Sequence, residues 1–353
     1  MNARISSPMK PIRPQSGFSL IELMIAVTLG LIILAALTTF FVQTSENRRE
    51  MDRNTRQIEN GRYAIDLLRE DLSLAGFYAD TAPLIQPTSW VMNDVCPATL
   101  ANFGFNADPY TAPVPLYGYQ GGAGAPFLCL QNLILNQDIV AVRRFGTESL
   151  TPAQALLKND RWYLQNTRCA AQIEATPAEH FVLAATGGGP FPKLEVSCVN
   201  TDFAPVWRLR EQVYYLRNCS VCVPAPDGIP TLWRAELDPT GPANTMQHYA
   251  MVEGIEQMRI DYGVDNTGDG RPDVWTRLPA TAGEWANVTS VKVYILSRNL
   301  EQSPNWVDNK TYNLGLSGDT APTNDKYKRH VYSAVVSLPN RSGPREPQLI
   351  AAP

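Results

Sequence analysis

The sequence predicts an α+β protein in which a long N-terminal helix packs on an antiparallel, β-sheet-rich globular head. Two observations lead to this prediction. A near-continuous apolar run, Phe18–Val42, passes directly into a charged segment whose apolar residues recur at helical spacing. Beyond Phe77 the chain is rich in proline and glycine, and its apolar residues fall in short runs between turn formers. A helical period followed by strand-like runs is typical of an α+β fold.

The apolar run is long enough to cross a membrane as a helix. At about 1.5 Å per residue, Phe18–Val42 would measure about 37 Å, against a hydrocarbon core of about 30 Å. The residues before it include Arg4, Lys10 and Arg13 and no acid. This positive flank favours keeping the N-terminal side in the cytoplasm and exporting the chain beyond Val42, so the sequence predicts a single-pass membrane protein.

One ionisable residue, Glu22, lies inside the apolar run. A carboxylate at the centre of a membrane helix costs roughly 2.5–3.5 kcal/mol, and less near the helix end. A secretory signal peptide or a plain signal anchor would explain the charged start and the apolar run, but neither explains Glu22. Cleavage after Gly17 would explain it, because the new α-amino group of Phe18 could pair with Glu22 of a neighbouring subunit.

The segment 43–76 is predicted to continue the helix as an amphipathic stretch, and Gly76 is predicted to stop it. Its apolar positions form a stripe that would face the head: Ile58, Ile65, Leu68, Leu72 and Ala75. Its charged positions are interpreted as a solvated face: Arg48, Arg49, Glu50, Asp52, Arg53 and Arg56. A single helix from Phe18 to Ala75 is therefore predicted.

Residues 77–353 are predicted to form the β-rich head, with a loop-rich insert at 79–131. The clearest strand patterns are 258–264, 288–297 and 331–338, and shorter runs lie at 139–145, 213–216 and 232–235. Within 288–297, the alternation predicts that Val291, Val293 and Ile295 share one face.

All six cysteines come after the apolar run, at positions 96, 129, 169, 198, 219 and 222. An even number in an exported segment predicts up to three disulfides, although spacing leaves their connectivity open. Sequential pairing is the simplest hypothesis: Cys96–Cys129, Cys169–Cys198 and Cys219–Cys222. The C-x-x-C at 219–222 has no second such pair and no nearby histidine, so a structural loop is favoured over a redox or zinc site.

A candidate calcium loop comes after the predicted strand 258–264. Oxygen-bearing groups recur at every second position: Asp265, Thr267, Asp269, the Arg271 carbonyl and Asp273. Gly270 stands sixth, as in an EF-hand loop, but Thr276 occupies the twelfth position, where an EF-hand carries glutamate. The alternative is a hairpin loop whose Asp, Asn and Gly residues only form turns. Calcium is the only cofactor that the sequence suggests.

Composition and motifs argue against two functional classes. The net charge is −4, and the three cations of the first seventeen residues leave about −7 on the rest, so nucleic acid is not an expected partner. The three histidines, His180, His248 and His330, lie far apart in the chain. No nucleophile-elbow, Walker A or H-E-x-x-H motif occurs, and an enzyme is not predicted.

Residues 17–22 (GFSLIE) resemble the type IV prepilin processing motif. The resemblance implies that a prepilin peptidase cleaves between Gly17 and Phe18, which makes residues 1–17 a leader peptide. It also implies that Phe18 is then N-methylated and that Glu22 supports assembly. Residues 18–42 would be the transmembrane and assembly helix.

Later segments resemble PilW-type minor pilins and the related J-type pseudopilins: 67–77 (LLREDLSLAGF), the acidic turn after Tyr262, and 329–341 (RHVYSAVVSLPNR). The resemblance implies a structural subunit that helps to initiate type IV pilus assembly in a tip or priming complex. Its partners would be other minor pilins, the major pilin, the prepilin peptidase and the inner-membrane assembly platform.

The implied location is the inner membrane, with the head in the periplasm, and then the pilus. Two alternatives stay open. The protein could be a tip module that contacts an adhesin or a surface ligand, or a J-type pseudopilin of a type II secretion system.

Overall fold

The computed structural model describes residues 17, 19–79, 106–107, 110–111, 114–120, 129–158, 162–175, 181–185, 189–237 and 246–342. Residues 1–16, Phe18, Cys96 and most of the predicted insert 79–131 lie outside the described residues. The chain divides into two compact units, Met1–Asp52 and Arg53–Pro353. The second unit is the head, and it includes the last part of the long helix.

Helix α1 spans Leu20–Ser73, close to the predicted 18–75. Its first bond runs from the Leu23 N–H to the Ser19 carbonyl, and its end tightens into a turn after Asp71. Gly76 has a positive φ of 76° and donates its N–H to the Arg143 carbonyl at 3.0 Å. Glycine adopts this backbone conformation without Cβ strain, which explains why the chain turns there.

Within the described residues, thirteen strands come after the helix: β1 Asn106–Ala107, β2 Tyr110–Thr111, β3 Leu116–Gln120, β4 Asp138–Leu150, β5 Trp162–Asn166, β6 Phe181–Ala185, β7 Val206–Arg217, β8 Thr231–Leu237, β9 Met246–Glu253, β10 Ile255–Val264, β11 Val274–Thr276, β12 Val288–Arg298 and β13 Arg329–Ser337. The six predicted runs lie in β4, β7, β8, β10, β12 and β13, apart from Leu338 just beyond β13. The predicted α+β fold with antiparallel pairing is confirmed.

Short helices lie between the strands and after the last one: α2 Pro152–Leu156, α3 Ala170–Ala175, α4 Ala282–Ala286 and α5 Pro339–Ser342. A 3-10 turn lies at Gly315–Ser317. Among the described residues, β1 pairs only with β2, and the other strands form two larger sheets.

The two larger sheets differ in size and in strand order. The four-stranded sheet has the order β11-β10-β12-β13, and the seven-stranded sheet has the order β3-β4-β7-β5-β6, with β8 paired to β7 and β9 to β8. Strand β7 is long enough to pair with β5 near its start and with β8 near its end, while β4 runs along its other edge.

One hydrophobic core joins α1 to both sheets. Ala64, Leu68 and Leu72 of α1 are fully buried in it, together with residues from β4, β7, β10, β12 and β13. The predicted common face of Val291, Val293 and Ile295 lies in this core and is buried. A second core covers the opposite face of the seven-stranded sheet, around Phe145, Val213, Tyr215 and Trp233. Strand β7 contributes to both cores through its second half, residues 213–216.

The contact of α1 with the head corrects the predicted apolar stripe at Ile58, which is 41% exposed. Gln57 is buried instead, and its amide nitrogen donates to the carbonyls of Ser297 and Lys328 at 2.9 and 3.0 Å. Gly61 lies against Tyr332 so closely that a Cβ there would overlap the ring. The helix faces the backbone carbonyls of Ser297 and Lys328, which need hydrogen-bond donors, so the buried position is occupied by a polar side chain and not by isoleucine.

At Arg53, the charged face of α1 differs from the predicted solvated surface. Arg53 forms an ion pair with Glu301 at 2.9 Å, in the segment after β12. Both side chains retain solvent access, and such exposed pairs contribute about 0–1 kcal/mol.

Two disulfides lie within the described head, Cys169–Cys198 and Cys219–Cys222. These are the pairs that sequential pairing predicts. The second closes the loop after β7, and the Trp233 indole donates to the Cys219 carbonyl at 2.8 Å. Cys129 is also disulfide-bonded. Because Cys96 lies outside the described residues, its pairing with Cys129 stays a prediction.

Candidate assembly site and head contacts

The start of α1 gives Glu22 a structural role that the sequence interpretation missed. Ser19 precedes the first helical residue, and Glu22 is the third residue of the helix. The Glu22 carboxylate accepts the Ser19 N–H at 3.0 Å. This contact is one half of a capping box, and a negative charge is favourable at a helix N-terminus. The pattern Ser-x-x-Glu at 19–22 was the signal that could have revealed it.

Among the described residues, no cationic side chain pairs with Glu22. Every side chain from Leu20 to Val42 is exposed in the isolated chain, and Glu22 is the single ionisable one among them. Within the described part of the chain, α1 is the one helix long and apolar enough to cross a membrane. Gly17 is exposed as well, whereas Phe18 lies outside the described residues. Cleavage, methylation and amine pairing therefore stay predictions.

A buried carboxylate, Asp71, pins the last turn of α1 to the seven-stranded sheet. It is 7% exposed and pairs with the Arg144 guanidinium of β4 at 2.7 Å. The Tyr214 hydroxyl of β7 donates to its second oxygen, and the Gln212 amide nitrogen, turned toward Asp71, donates at 2.7 Å. Burial, followed by the Asp71 charge, raises the pKa of Tyr214 well above its ordinary value. The phenol thus stays a hydrogen-bond donor.

A second buried hub, Arg329 at the start of β13, holds the long segment 299–328. Its guanidinium bonds Asp308 at 3.0 Å, Asp325 at 2.7 Å and Glu256 of β10 at 3.0 Å. The Tyr312 hydroxyl donates to the same Asp308 carboxylate at 3.0 Å. One cation therefore fastens two points of the segment to the four-stranded sheet. Sequence interpretation singled out 329–341 by resemblance, but not this role.

The candidate calcium loop joins β10 to β11. The buried Asp265 accepts the N–H groups of Gly268 and Gly270 at 2.6 and 3.0 Å. Asp273 accepts the N–H groups of Asn266 and Thr267 at 2.7 and 2.9 Å. These carboxylates accept hydrogen bonds from the backbone N–H groups of the loop, as aspartate commonly does in turns.

The loop brings some predicted calcium ligands together but not all of them. The Thr267 hydroxyl lies 3.4 Å from both Asp265 and Asp273. The Asp269 carboxylate accepts the Arg271 N–H at 2.9 Å instead. In the described ranges, no group of three or more His, Cys, Asp or Glu side chains could hold a metal ion. Calcium binding stays a prediction that the structure does not test.

Comparisons with known proteins match two parts of the chain. Residues 12–38 match the prokaryotic N-terminal methylation motif, which contains the predicted cleavage site and Glu22. Residues 213–340 match the family described as Type IV Pilus-assembly protein W, a region that runs from the middle of β7 past β13 and includes Arg329.

A solved type IV-like pilin from Thermus thermophilus is similar at 15% identity, over 37% of this chain and 79% of that one. Its TM-score of 0.21 is too low to support an inference. No curated protein matches the chain. The apolar helix and the methylation motif fit a membrane-anchored pilin. The two matches, the methylation motif at residues 12–38 and the assembly-protein W region at residues 213–340, support a type IV minor pilin.

Proposed function

We propose that this minor pilin helps to initiate type IV pilus assembly, in a tip or priming complex with other minor pilins. The observation that carries the proposal is the first part of α1. It is a 23-residue stretch, 20–42, in which Glu22 is the one ionisable residue and every side chain is exposed. Large exposed apolar surfaces on one protein indicate a membrane or a protein partner. This stretch has the membrane as its environment before assembly and the helices of other pilins afterwards.

Glu22 makes assembly depend on cleavage of the leader. The Ser19 N–H compensates part of its charge within the chain. Cleavage after Gly17 by the prepilin peptidase would add a cationic amine on Phe18, and the amine of one subunit would neutralise Glu22 of the next. In a low-dielectric helix bundle such a pair is far stronger than in water. Entry into the bundle then favours cleaved subunits over uncleaved ones.

The test is complementation of a deletion strain with Glu22→Ala and Glu22→Gln. We expect both variants to be cleaved but to give few surface pili and little twitching. The matched control is Glu46→Gln, an exposed position of α1 beyond the apolar stretch, which should complement fully. Full assembly by Glu22→Ala would refute the pairing.

The deletion itself separates the alternatives. Loss of pili and twitching supports the priming role. Normal pili with lost adhesion would instead assign a tip-binding module, and intact pili with blocked exoprotein release would assign a J-type pseudopilin of a secretion system. The latter two results would each overturn the proposal.

Calcium at the β10–β11 loop is a separate proposal. It is supported by the approach of the Thr267 hydroxyl to Asp265 and Asp273. Because the loop carboxylates already accept backbone N–H groups, we propose that the cation adds to the stability of a formed loop and does not create it.

A further inference from the structure

A polar cleft of about 330 Å³ opens in the head where β4 bulges away from β7. Phe145 pairs with Leu209 and Ser149 pairs with Trp207, so the extra residues 146–148 of β4 lie opposite Arg208 alone. Such bulges bend a strand and re-aim its side chains. The cleft precedes residue 213, where the family match begins.

Cations outnumber acids on the walls of this cleft. Among the described residues, Lys158, Arg208 and Arg210 line it, with Glu148 as the one acidic side chain and the exposed Thr147 beside it. The volume is at the lower end of the range of small-molecule sites, which is about 300–1,000 Å³. A small anionic ligand would suit both the size and the charge.

In the part of the chain that the structure describes, Arg210 is the partly buried cation of this cleft that makes no ion pair, whereas Arg208 pairs with Glu236 and Lys158 is exposed. Among the described residues its side chain makes no hydrogen bond or ion pair, and its Nε is buried. The two buried carboxylates nearby are already engaged, and Glu148 is exposed. Glu236 pairs with Arg208 at 2.8 Å, and Asp71 pairs with Arg144, the residue opposite Arg210 in β4. Burial and the charges of Arg208 and Arg144 lower the pKa of Arg210.

The buried Nε of Arg210 has lost water and gains no acceptor among the described residues, which is costly, and the neighbouring cations Arg208 and Arg144 add to the need for an anion. Arginine presents its donors as a planar fork that matches carboxylate and phosphate oxygens. We propose that this cleft binds a small molecule carrying a phosphate or carboxylate group, with Arg210 as the principal contact and Arg208 and Lys158 as supporting charges. The proposal is independent of the pilus-priming role.

The test is calorimetric titration of the full-length chain in detergent at low salt. The probes are glucose 6-phosphate, glucuronate, inorganic phosphate and neutral glucose. We expect the anions to bind and glucose not to bind. Inorganic phosphate binding as tightly as glucose 6-phosphate would assign a free anion, and tighter binding of the sugar phosphate would assign the small molecule.

Arg210→Gln should weaken anion binding at least tenfold, and Arg210→Lys should weaken it less. The matched control is Arg56→Gln, an exposed arginine outside the cleft, which should bind as the unmodified chain does. Lys158 is exposed, so Lys158→Gln gives the same test without a risk to folding. Absence of anion binding, or equal binding by Arg210→Gln and Lys158→Gln and the unmodified chain, would overturn the proposal.

Discussion

Replacing Asp71 with alanine should strongly destabilise the head, because the carboxylate is the common acceptor of three buried donors. It holds the Arg144 guanidinium, the Tyr214 hydroxyl and the Gln212 amide, which belong to β4 and β7. Without it, the Arg144 side chain keeps a 3.3 Å bond to the Phe145 carbonyl, which carries no negative charge. A buried cation would then lack the carboxylate that neutralises it.

The magnitude depends on the kind of contact that is lost. Removing one partner of a buried ion pair costs about 3–5 kcal/mol. Each neutral hydrogen bond would add about 1 kcal/mol, but contacts that share one carboxylate are not additive. We therefore expect Asp71→Ala to lower the free energy of unfolding by about 4 kcal/mol, a large part of a typical total of about 5–15 kcal/mol. Asp71→Asn, which keeps an acceptor oxygen, should cost less.

The assay is urea unfolding of the detergent-solubilised full chain, followed by tryptophan fluorescence. The matched control is Asp66→Ala on the same helix, because Asp66 is exposed. Surface substitutions of this kind change stability by about 0.5 kcal/mol or less. If Asp71→Ala and Asp66→Ala unfold at the same urea concentration, the carboxylate does not anchor the helix as described.

Three further predictions concern other parts of the molecule. Burial lowers the pKa of His248 to about 4, so the folded head should lose stability as the pH falls from about 6.5 toward 4, and His248→Gln should flatten that pH profile in thermal unfolding. A pH profile that His248→Gln leaves unchanged would contradict this. Gly61→Ala should lower the free energy of unfolding in urea by about 1–3 kcal/mol, because the added Cβ would overlap Tyr332. Gly30→Ala, where the added Cβ has open space, should not lower it. Equal effects of the two substitutions would contradict the contact with Tyr332. If the β10–β11 loop binds calcium with the affinity of extracellular modules, about 10 mM Ca²⁺ should raise the melting temperature by about 2–4 °C, and Asp269→Asn should abolish the increase; no shift in the unmodified chain would refute binding.

Local sequence patterns were sufficient for the long helix and for six of the thirteen strands in the described residues. Val291, Val293 and Ile295 share a buried face because alternation along a strand is a local property, independent of which strand lies beside it. Gly76 was predictable for a similar reason. The chain turns there with a positive φ, and glycine adopts this backbone conformation at low cost.

The same reasoning failed where a helix face meets polar groups from distant segments. Ile58 fits the apolar period, yet Gln57 takes the buried position because carbonyls near residues 297 and 328 approach there. Asp71 also lies close to the period set by Leu68 and Leu72, and an acid at that spacing is a signal of a buried partner. The sequence offers no means of naming that partner as Arg144.

The N-terminal features needed only the sequence. The apolar run, its positive flank and Glu22 lie within one short stretch, and membrane insertion depends on composition and length alone. Tertiary structure placed Arg210 in the cleft at the β4 bulge, where its buried Nε has no hydrogen-bond partner among the described residues. It also decided two ion pairs of the head, Asp71 with Arg144 and Arg329 with Glu256. These pairs join segments about 70 residues apart, and a buried charge is matched only when strand register brings its partner within hydrogen-bonding distance.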